Sequence, residues 1–260
     1  MNGKRTLIDI SVAIEADIPS DPPIMLPEIE YLDHQATVEQ MTGFFPGLTK
    51  DQLPGGEGWA VEVMKLSTHN GTHLDAPYHH HSTMNGGERA ITIDEVPLDW
   101  CLNPGVKLDF RHLPDGHVVS AAEVEAELDR IGHDLAPLDI VLVNTSAGKK
   151  YGQPDYLTSG CGMGREATMY LLDLGVRLTG TDAWSWDAPF SHTAQRWMET
   201  KDPSIIWEGH RASMDIGYCH IEKLSNLEAL PASGFHVSCF PVKIKGASAG
   251  FTRAVAILEE

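Results

Sequence analysis

Apolar and polar positions along this chain switch period several times, and each switch marks an element. Thr6 to Val12 alternates and is rich in β-branched residues, which predicts a strand. Ala60 to Leu66 and Val106 to Phe110 predict two more, and the apolar run Asp139 to Asn144 reads as a buried strand. Between these, Ser120 and Glu123 have capping-box spacing, and Val124, Leu128 and Ile131 share one helical face, so a helix starts at Ser120. A second helix is expected from about Arg165 to Leu174, followed by a strand from Arg177 to Thr181 and a short helix near His210. The C-terminal third reads as strands at Phe235 to Ile244 and Arg253 to Leu258.

The joints between these elements are long. Pro19 to Pro27 is a proline-rich loop. His34 to Gly58 is polar and glycine-punctuated, a long loop or a short helix with a mobile flank; Trp184 to Glu208 is a second long, aromatic-rich connection. Strands and helices mix without a strict βαβ rhythm, so the expected class is α/β with a mixed sheet, in one domain over residues 1–260.

Composition narrows the partners. The chain has 260 residues, 42% of them hydrophobic, which is ample for a core. A net charge of −18 makes nucleic acid and anionic membranes poor partners for the bulk surface. Four cysteines without a C-x-x-C pair read as free thiols in a reducing cytoplasm. Met1 to Asp17 has no apolar leader core, and no run approaches the ~20 apolar residues of a membrane helix.

The chemistry concentrates in His69-Asn-Gly-Thr-His73-Leu-Asp75-Ala-Pro77-Tyr-His79, directly after a predicted strand. Imidazole and carboxylate are the usual ligands of zinc and related cations. On an extended chain His73, Asp75 and His79 point one way and Leu74 the other, while Gly71 permits a turn that returns His69 toward His73. A zinc-protease helix is excluded: it needs a glutamate right after the first histidine, where Asn70 stands. His80 and His81 extend the run and are expected to be bystanders.

The pattern His69-x-Gly71-Thr72-His73-x-Asp75-x-Pro77-x-His79 resembles the signature of the cyclase-type metal hydrolases, among them kynurenine formamidases, isatin hydrolases and a trans-dienelactone hydrolase. Further similarity runs through Ile8-Asp9-Ile10-Ser11, Gly180-Thr181-Asp182, Pro241-Val242-Lys243 and Arg253-Ala254. The resemblance implies a swivelling β/β/α fold and a homodimer or homotetramer. It implies a second cluster, His210 and Glu222, separated by eleven residues. It also implies two divalent cations, zinc or manganese: the first on His69, His73 and Asp75, the second on Asp75, His210 and Glu222, with Asp75 and Glu222 bridging. His79 matches the family's acid/base histidine. The implied activity is hydrolysis of a small non-peptide amide, an aryl formamide or a cyclic amide such as isatin; a lactone uses the same parts. One departure bears on the substrate: where the formamidases carry Trp-Pro-Gly-Asp, this chain has Ile18-Pro19-Ser20-Asp21.

Two other functions compete. A serine hydrolase needs a Gly-x-Ser-x-Gly elbow, which Gly246-Ala-Ser248-Ala-Gly250 matches formally, but between strands rather than before a helix. A non-catalytic metal-binding protein would keep the ligands and have no use for His79.

Overall fold

The computed structural model describes residues 5–259; Met1 to Lys4, part of the stretch expected to lack a leader core, and Glu260 lie outside them. Among the described residues, eleven strands of three residues or more and six α-helices organise the chain around its site. In order they are β1 (Arg5–Asp9), β2 (Glu28–Leu32), α1 (Val38–Gly43), β3 (Val61–Lys65), β4 (His73–Asp75), α2 (Pro77–His80), β5 (Leu102–Asp109), α3 (Ala121–Ile131) and β6 (Ile140–Asn144). Then come α4 (Arg165–Asp173), β7 (Leu178–Thr181), α5 (Phe190–Thr200), α6 (Glu208–Arg211), β8 (Cys219–Glu222), β9 (Phe235–Ser238), β10 (Ala249–Phe251) and β11 (Val255–Glu259). Nine strands form one sheet in the order β1-β11-β9-β5-β6-β7-β8-β4-β10. Its centre, β5-β6-β7-β8, is parallel and both flanks are antiparallel, so the fold is the mixed α/β sheet expected.

The central strands are buried on both faces. Every residue of β6 is buried: Ile140 and Leu142 face one apolar cluster with Leu74, Ile221, Phe235 and Ala256, and Val141 and Val143 face another. That second cluster is closed by α3 and α4 through Val124, Leu128, Ala167 and Leu171. Helix α3 starts where its capping box says it should: Ser120 Oγ accepts from Glu123 N at 3.3 Å, and Glu123 Oε2 accepts from Ser120 N at 2.8 Å. Gly132, at φ 65°, ends it in the left-handed conformation that glycine adopts freely.

Ala60 to Leu66 contains the expected strand, β3, which pairs with β2 in a ribbon outside the main sheet. Two expectations are corrected. Trp184 to Glu208 is no plain connection, since α5 occupies its middle. The strand expected from Phe235 to Ile244 stops at Ser238. Strands β8 and β10 escaped the sequence reading. Each is only three or four residues long, too short for a visible period.

Candidate metal centre

Strand pairing builds the site. Short strand β4 lies between β8 and β10, with His73 opposite Glu222, Leu74 opposite Ile221 and Asp75 opposite His220. Side chains alternate faces along a strand. Leu74 and Ile221, both fully buried, therefore enter the apolar cluster, and each contributes about 1.5–3 kcal/mol by leaving water. His73, Asp75, His220 and Glu222 are left on the opposite face. Gly71, at φ 60°, makes the turn that brings His69 over His73; any side chain there would also strike Ile14. His210 arrives from α6, more than 130 residues further along the chain.

One geometric expectation fails. His79 does not continue the extended run of His73 and Asp75. Pro77 opens α2 at its first position, where a missing N–H costs nothing, and His79 sits on that helical turn. It still reaches the site, with Nε2 3.9 Å from Asp75 Oδ2. His80 is not a bystander either. It is buried and stacks on His220, with ring centroids 4.7 Å apart and planes 10° apart. His81, half-buried, only bonds Thr83.

The donor atoms form two groups. In one, His69 Nδ1 lies 3.3 Å from His73 Nε2 and 2.9 Å from Asp75 Oδ1, and His73 Nε2 lies 3.4 Å from Asp75 Oδ1. In the other, His220 Nε2 lies 3.1 Å from Asp75 Oδ2 and 3.3 Å from Glu222 Oε1, and His210 Nε2 lies 3.6 Å from Glu222 Oε1. Glu222 Oε2 turns back to His73 Nε2 at 3.6 Å. Asp75 thus offers one oxygen to each group, whereas Glu222 belongs to the second and approaches the first only through His73. Donors around a tetrahedral cation with bonds of ~2.0–2.1 Å stand about 3.3–3.4 Å apart, the spacing seen here. Both Asp75 oxygens are buried without a hydrogen-bond donor. A carboxylate so placed needs a compensating charge, and a divalent cation fits the donor set.

Neighbours outside the cluster aim the imidazoles. His73 Nδ1 bonds Gly71 O at 2.9 Å, His69 Nε2 bonds Ser248 Oγ at 3.1 Å, and His210 Nδ1 bonds Asp187 Oδ2 at 2.5 Å. Each leaves the other ring nitrogen facing the centre, the arrangement that fixes a metal-binding tautomer. Asp187 is itself held by Gly209 N and His210 N at 2.8 and 3.0 Å, and burial pushes its carboxyl up to about 7. Trp186 N donates to Glu222 Oε1 at 3.0 Å.

Burial and charge compete at the histidines and at Asp75. Burial drives His73 down to about 4, and it also lowers His79, His80 and His210. Burial opposes charge on His220 too, yet the close approach of Asp75 and Glu222 pushes it up to about 9. Burial would raise Asp75, but the histidines around it, His79 first, hold it well below the ordinary carboxylate range.

A cavity of about 210 Å³ opens over this centre. His69, His79, His210 and Glu222 form its floor, and Trp184, Phe190 and Trp207 are among its walls. Trp207 holds φ at 59°, a left-handed conformation that costs a non-glycine residue about 1–3 kcal/mol and recurs at functional sites. Its ring stacks on His210 at 4.3 Å and meets His79 edge-on at 5.0 Å. The segment Ile18 to Asp21 supplies Asp21 and not an aromatic ring. Trp184 stands over the cavity instead, its Nε1 donating to Asp21 Oδ1 at 3.0 Å. A larger depression of about 610 Å³ lies elsewhere, against α3, and four of the charged residues lining it are paired, Arg111 with Asp109 and Arg130 with Glu127.

Sequence reading therefore assembled His69, His73, Asp75, His79, His210 and Glu222, and all six meet here. It missed His220 and the cavity walls. The only signal for His220 was its place two residues before Glu222, on the same face of a strand too short to recognise.

Fold and site together define a swivelling β/β/α protein with a buried histidine–carboxylate centre suited to divalent cations. The chain belongs to the putative cyclase family, whose profile matches residues 8–188. It is 31% identical over 195 residues to a kynurenine formamidase of Salinibacter ruber, covering 74% of this chain and 77% of that one. Among solved structures it is similar to isatin hydrolase A from Labrenzia aggregata bound to benzyl benzoate, with TM-score 0.75, 22% identity, and 98% of this chain and 94% of that one covered. Isatin hydrolase A from Ralstonia solanacearum is similar too, at TM-score 0.76 and 19% identity, with 98% and 92% covered. Those two likenesses establish the fold alone. The matched profile ends before His210, His220 and Glu222, which the sheet and α6 carry into the site.

Proposed function

We propose that this chain is a metal-dependent hydrolase of small non-peptide amides, an aryl formamide or a cyclic amide such as isatin. Two divalent cations would be held, one by His69, His73 and Asp75, the other by Asp75, His210 and Glu222. Zinc is the first choice and manganese the second, since imidazole and carboxylate suit both. The observation that carries the reading is the pair of donor groups at ligand spacing, joined through Asp75, beneath a cavity that His79 lines.

A cation in this centre would polarise a substrate carbonyl and bring the pKa of a water toward ~7. The chain's own residues do the rest. His79 has its pKa lowered by burial, so it is neutral near pH 7 and its Nε2 can accept a proton. It can then return that proton to the leaving nitrogen, or to the oxygen of a lactone. Trp207 holds the His79 ring from one side and His69 from another, with centroids 5.0 and 4.1 Å away. Trp184, Phe190 and Trp207 give the cavity flat apolar walls, which suit an aryl ring and keep water from the reacting carbonyl.

Ser248 supports a second reading on one observation. Ser248 Oγ, His69 and Asp75 Oδ1 line up as a serine-hydrolase relay would, at 3.1 and 2.9 Å. Ser248, however, does not line the cavity, it precedes β10 and no helix, and Asp75 is shared with three further histidines. Its role in our reading is to orient His69.

A homodimer, or a tetramer built from dimers, completes the proposal. The ribbon β2–β3 stands outside the main sheet and exposes Tyr31, Val63 and Met64, with Phe44 and Phe45 exposed in the segment between. Such an apolar set fits burial against a second copy. Among the described residues no helix is long and apolar enough to cross a membrane. All four cysteines are free and buried, which suits a reducing cytoplasm.

The test is turnover of N-formylkynurenine, isatin and small lactones by protein of known metal content, with and without a chelator. Hydrolysis of one amide that stops on chelation and returns with zinc or manganese is the expected result. Metal-loaded protein inert on all of them would favour the non-catalytic alternative, and labelling of Ser248 by a fluorophosphonate would favour the serine reading. Light scattering that returns a monomer would remove the dimer.

A further inference from the structure

We infer that the two cation positions are unequal, because His220 closes one of them with a fourth protein ligand while the other keeps an open place. This rests on the metal reading above and adds a residue that the histidine–carboxylate motifs do not contain. The inner position is bounded by Asp75 Oδ2, His210 Nε2, His220 Nε2 and Glu222 Oε1, all on buried residues. The outer position is bounded by three donors, His69 Nδ1, His73 Nε2 and Asp75 Oδ1; Glu222 Oε2 comes no nearer than 3.6 Å to His73 Nε2 and lies outside this group, and His69 lines the cavity with 17% of its side chain exposed. Zinc sites with four protein ligands are structural, and those with three keep a place for water or substrate. The inner cation is therefore held fast, and the outer one exchanges and faces substrate.

Three features make His220 a ligand rather than a packed bystander. First, the strand register puts it opposite Asp75 on the face that carries His73 and Glu222. Second, its Nε2 stands 3.1 and 3.3 Å from two carboxylate oxygens, yet no hydrogen bond of acceptable angle joins them. Atoms so close without aiming at each other converge on a common point between them. Third, the ring cannot turn away. His80 stacks on one face at 4.7 Å, and Trp186 lies nearly parallel at 6.0 Å. This explains the buried His80, whose two nitrogens have no partner: it holds the ring of His220 and touches no substrate.

The experiment follows metal content rather than turnover. Wild-type protein loaded with two equivalents of zinc is challenged with a chelator, and bound zinc is measured against time. One zinc per chain should leave in a fast phase and the second far more slowly. His220→Phe keeps a flat ring between His80 and Trp186 and removes both nitrogens. Once circular dichroism shows it folded, the slow phase should accelerate by more than about 100-fold, beyond the 10–100-fold that loss of a partner outside the coordination shell costs. His69→Ala should lose only the fast zinc. A smaller acceleration in His220→Phe, or simultaneous loss of both zincs from wild type, overturns the inference and leaves the metal reading standing. Wild type that binds neither zinc nor manganese overturns both. Should His220→Phe not fold, wild type given one equivalent of zinc decides by imidazole nitrogen NMR. Shifts at His210 and His220 before His69 and His73 support the assignment, and the reverse order refutes it.

Discussion

Asp21 and Lys223 form an ion pair with about 1% of either side chain exposed, just outside the metal centre. Lys223 Nζ also donates to His69 O at 2.8 Å, while Asp21 accepts from Trp184 Nε1 at 3.0 Å and from Asn70 Nδ2 at 3.1 Å. The pair thus ties the residues beside Glu222 and His69 to the cavity wall. Removing one partner strands a buried charge, which costs about 3–5 kcal/mol. In a chain of this size each kcal/mol lowers Tm by about 2–4 °C, so Asp21→Leu or Lys223→Met should each melt roughly 6–20 °C lower. Removing both charges is far cheaper. The Asp21→Leu/Lys223→Met double variant should lose only about 1–3 kcal/mol, chiefly because the Trp184 and Asn70 donors lose an acceptor. Thermal melts of all four proteins, loaded with the same metal, give the cycle. A double variant that costs the sum of the two singles would refute the reasoning, because additivity means the groups do not interact. Singles within ~1 kcal/mol of wild type would refute it too, since the charges would then be solvated.

His79→Ala should keep its metal and lose turnover by about 10²–10⁴-fold, whereas His73→Ala should lose metal as well; metal analysis and steady-state rates, side by side, separate the two. His80→Ala should also impair the protein, against the sequence-based expectation, because it unseats the ring of His220; its metal content should fall while His81→Ala remains close to wild type. Asp182 is buried, which pushes its carboxyl up to about 7 despite hydrogen bonds from Thr145 Oγ1 and N at 2.7 and 2.9 Å. Its native pKa lies above the unfolded ~3.9, so its contribution is fully present below ~pH 4 and is lost as pH rises through 7. Asp182→Asn, which cannot ionise, should therefore gain in Tm relative to wild type between pH 5 and pH 8; a difference that stays constant with pH would contradict the buried, protonated assignment. Gly105→Ala should destabilise the sheet by about 1–3 kcal/mol, since a methyl there would stand 2.2 Å from the Phe235 ring; a denaturant midpoint equal to wild type would remove that contact from the account.

The sequence by itself determined the parts whose physics is local. The capping box at Ser120 and Glu123, the buried run of β6, and the turn at Gly71 depend on neighbours within a few residues, and each stands where its pattern placed it. The ligand-type residues from His69 to His79 were legible for the same reason: seven fixed positions in eleven fall within one short stretch. His210 and Glu222 were legible only through resemblance, because nothing in their own neighbourhoods sets them apart. What the chain could not reveal is decided by pairing between distant segments. The register of β8 against β4 brings His220 onto Asp75, though the two stand 145 positions apart in the chain. It turns a histidine with no motif into a neighbour of two carboxylates. The helical turn at Pro77 redirects His79, and α5 and α6 bring Phe190 and Trp207 over the cavity in place of the absent N-terminal tryptophan. Residue identity and spacing fix which side chains can bind a cation. Which of them share one buried point is fixed by strand register and burial, and these exist only once the sheet has closed.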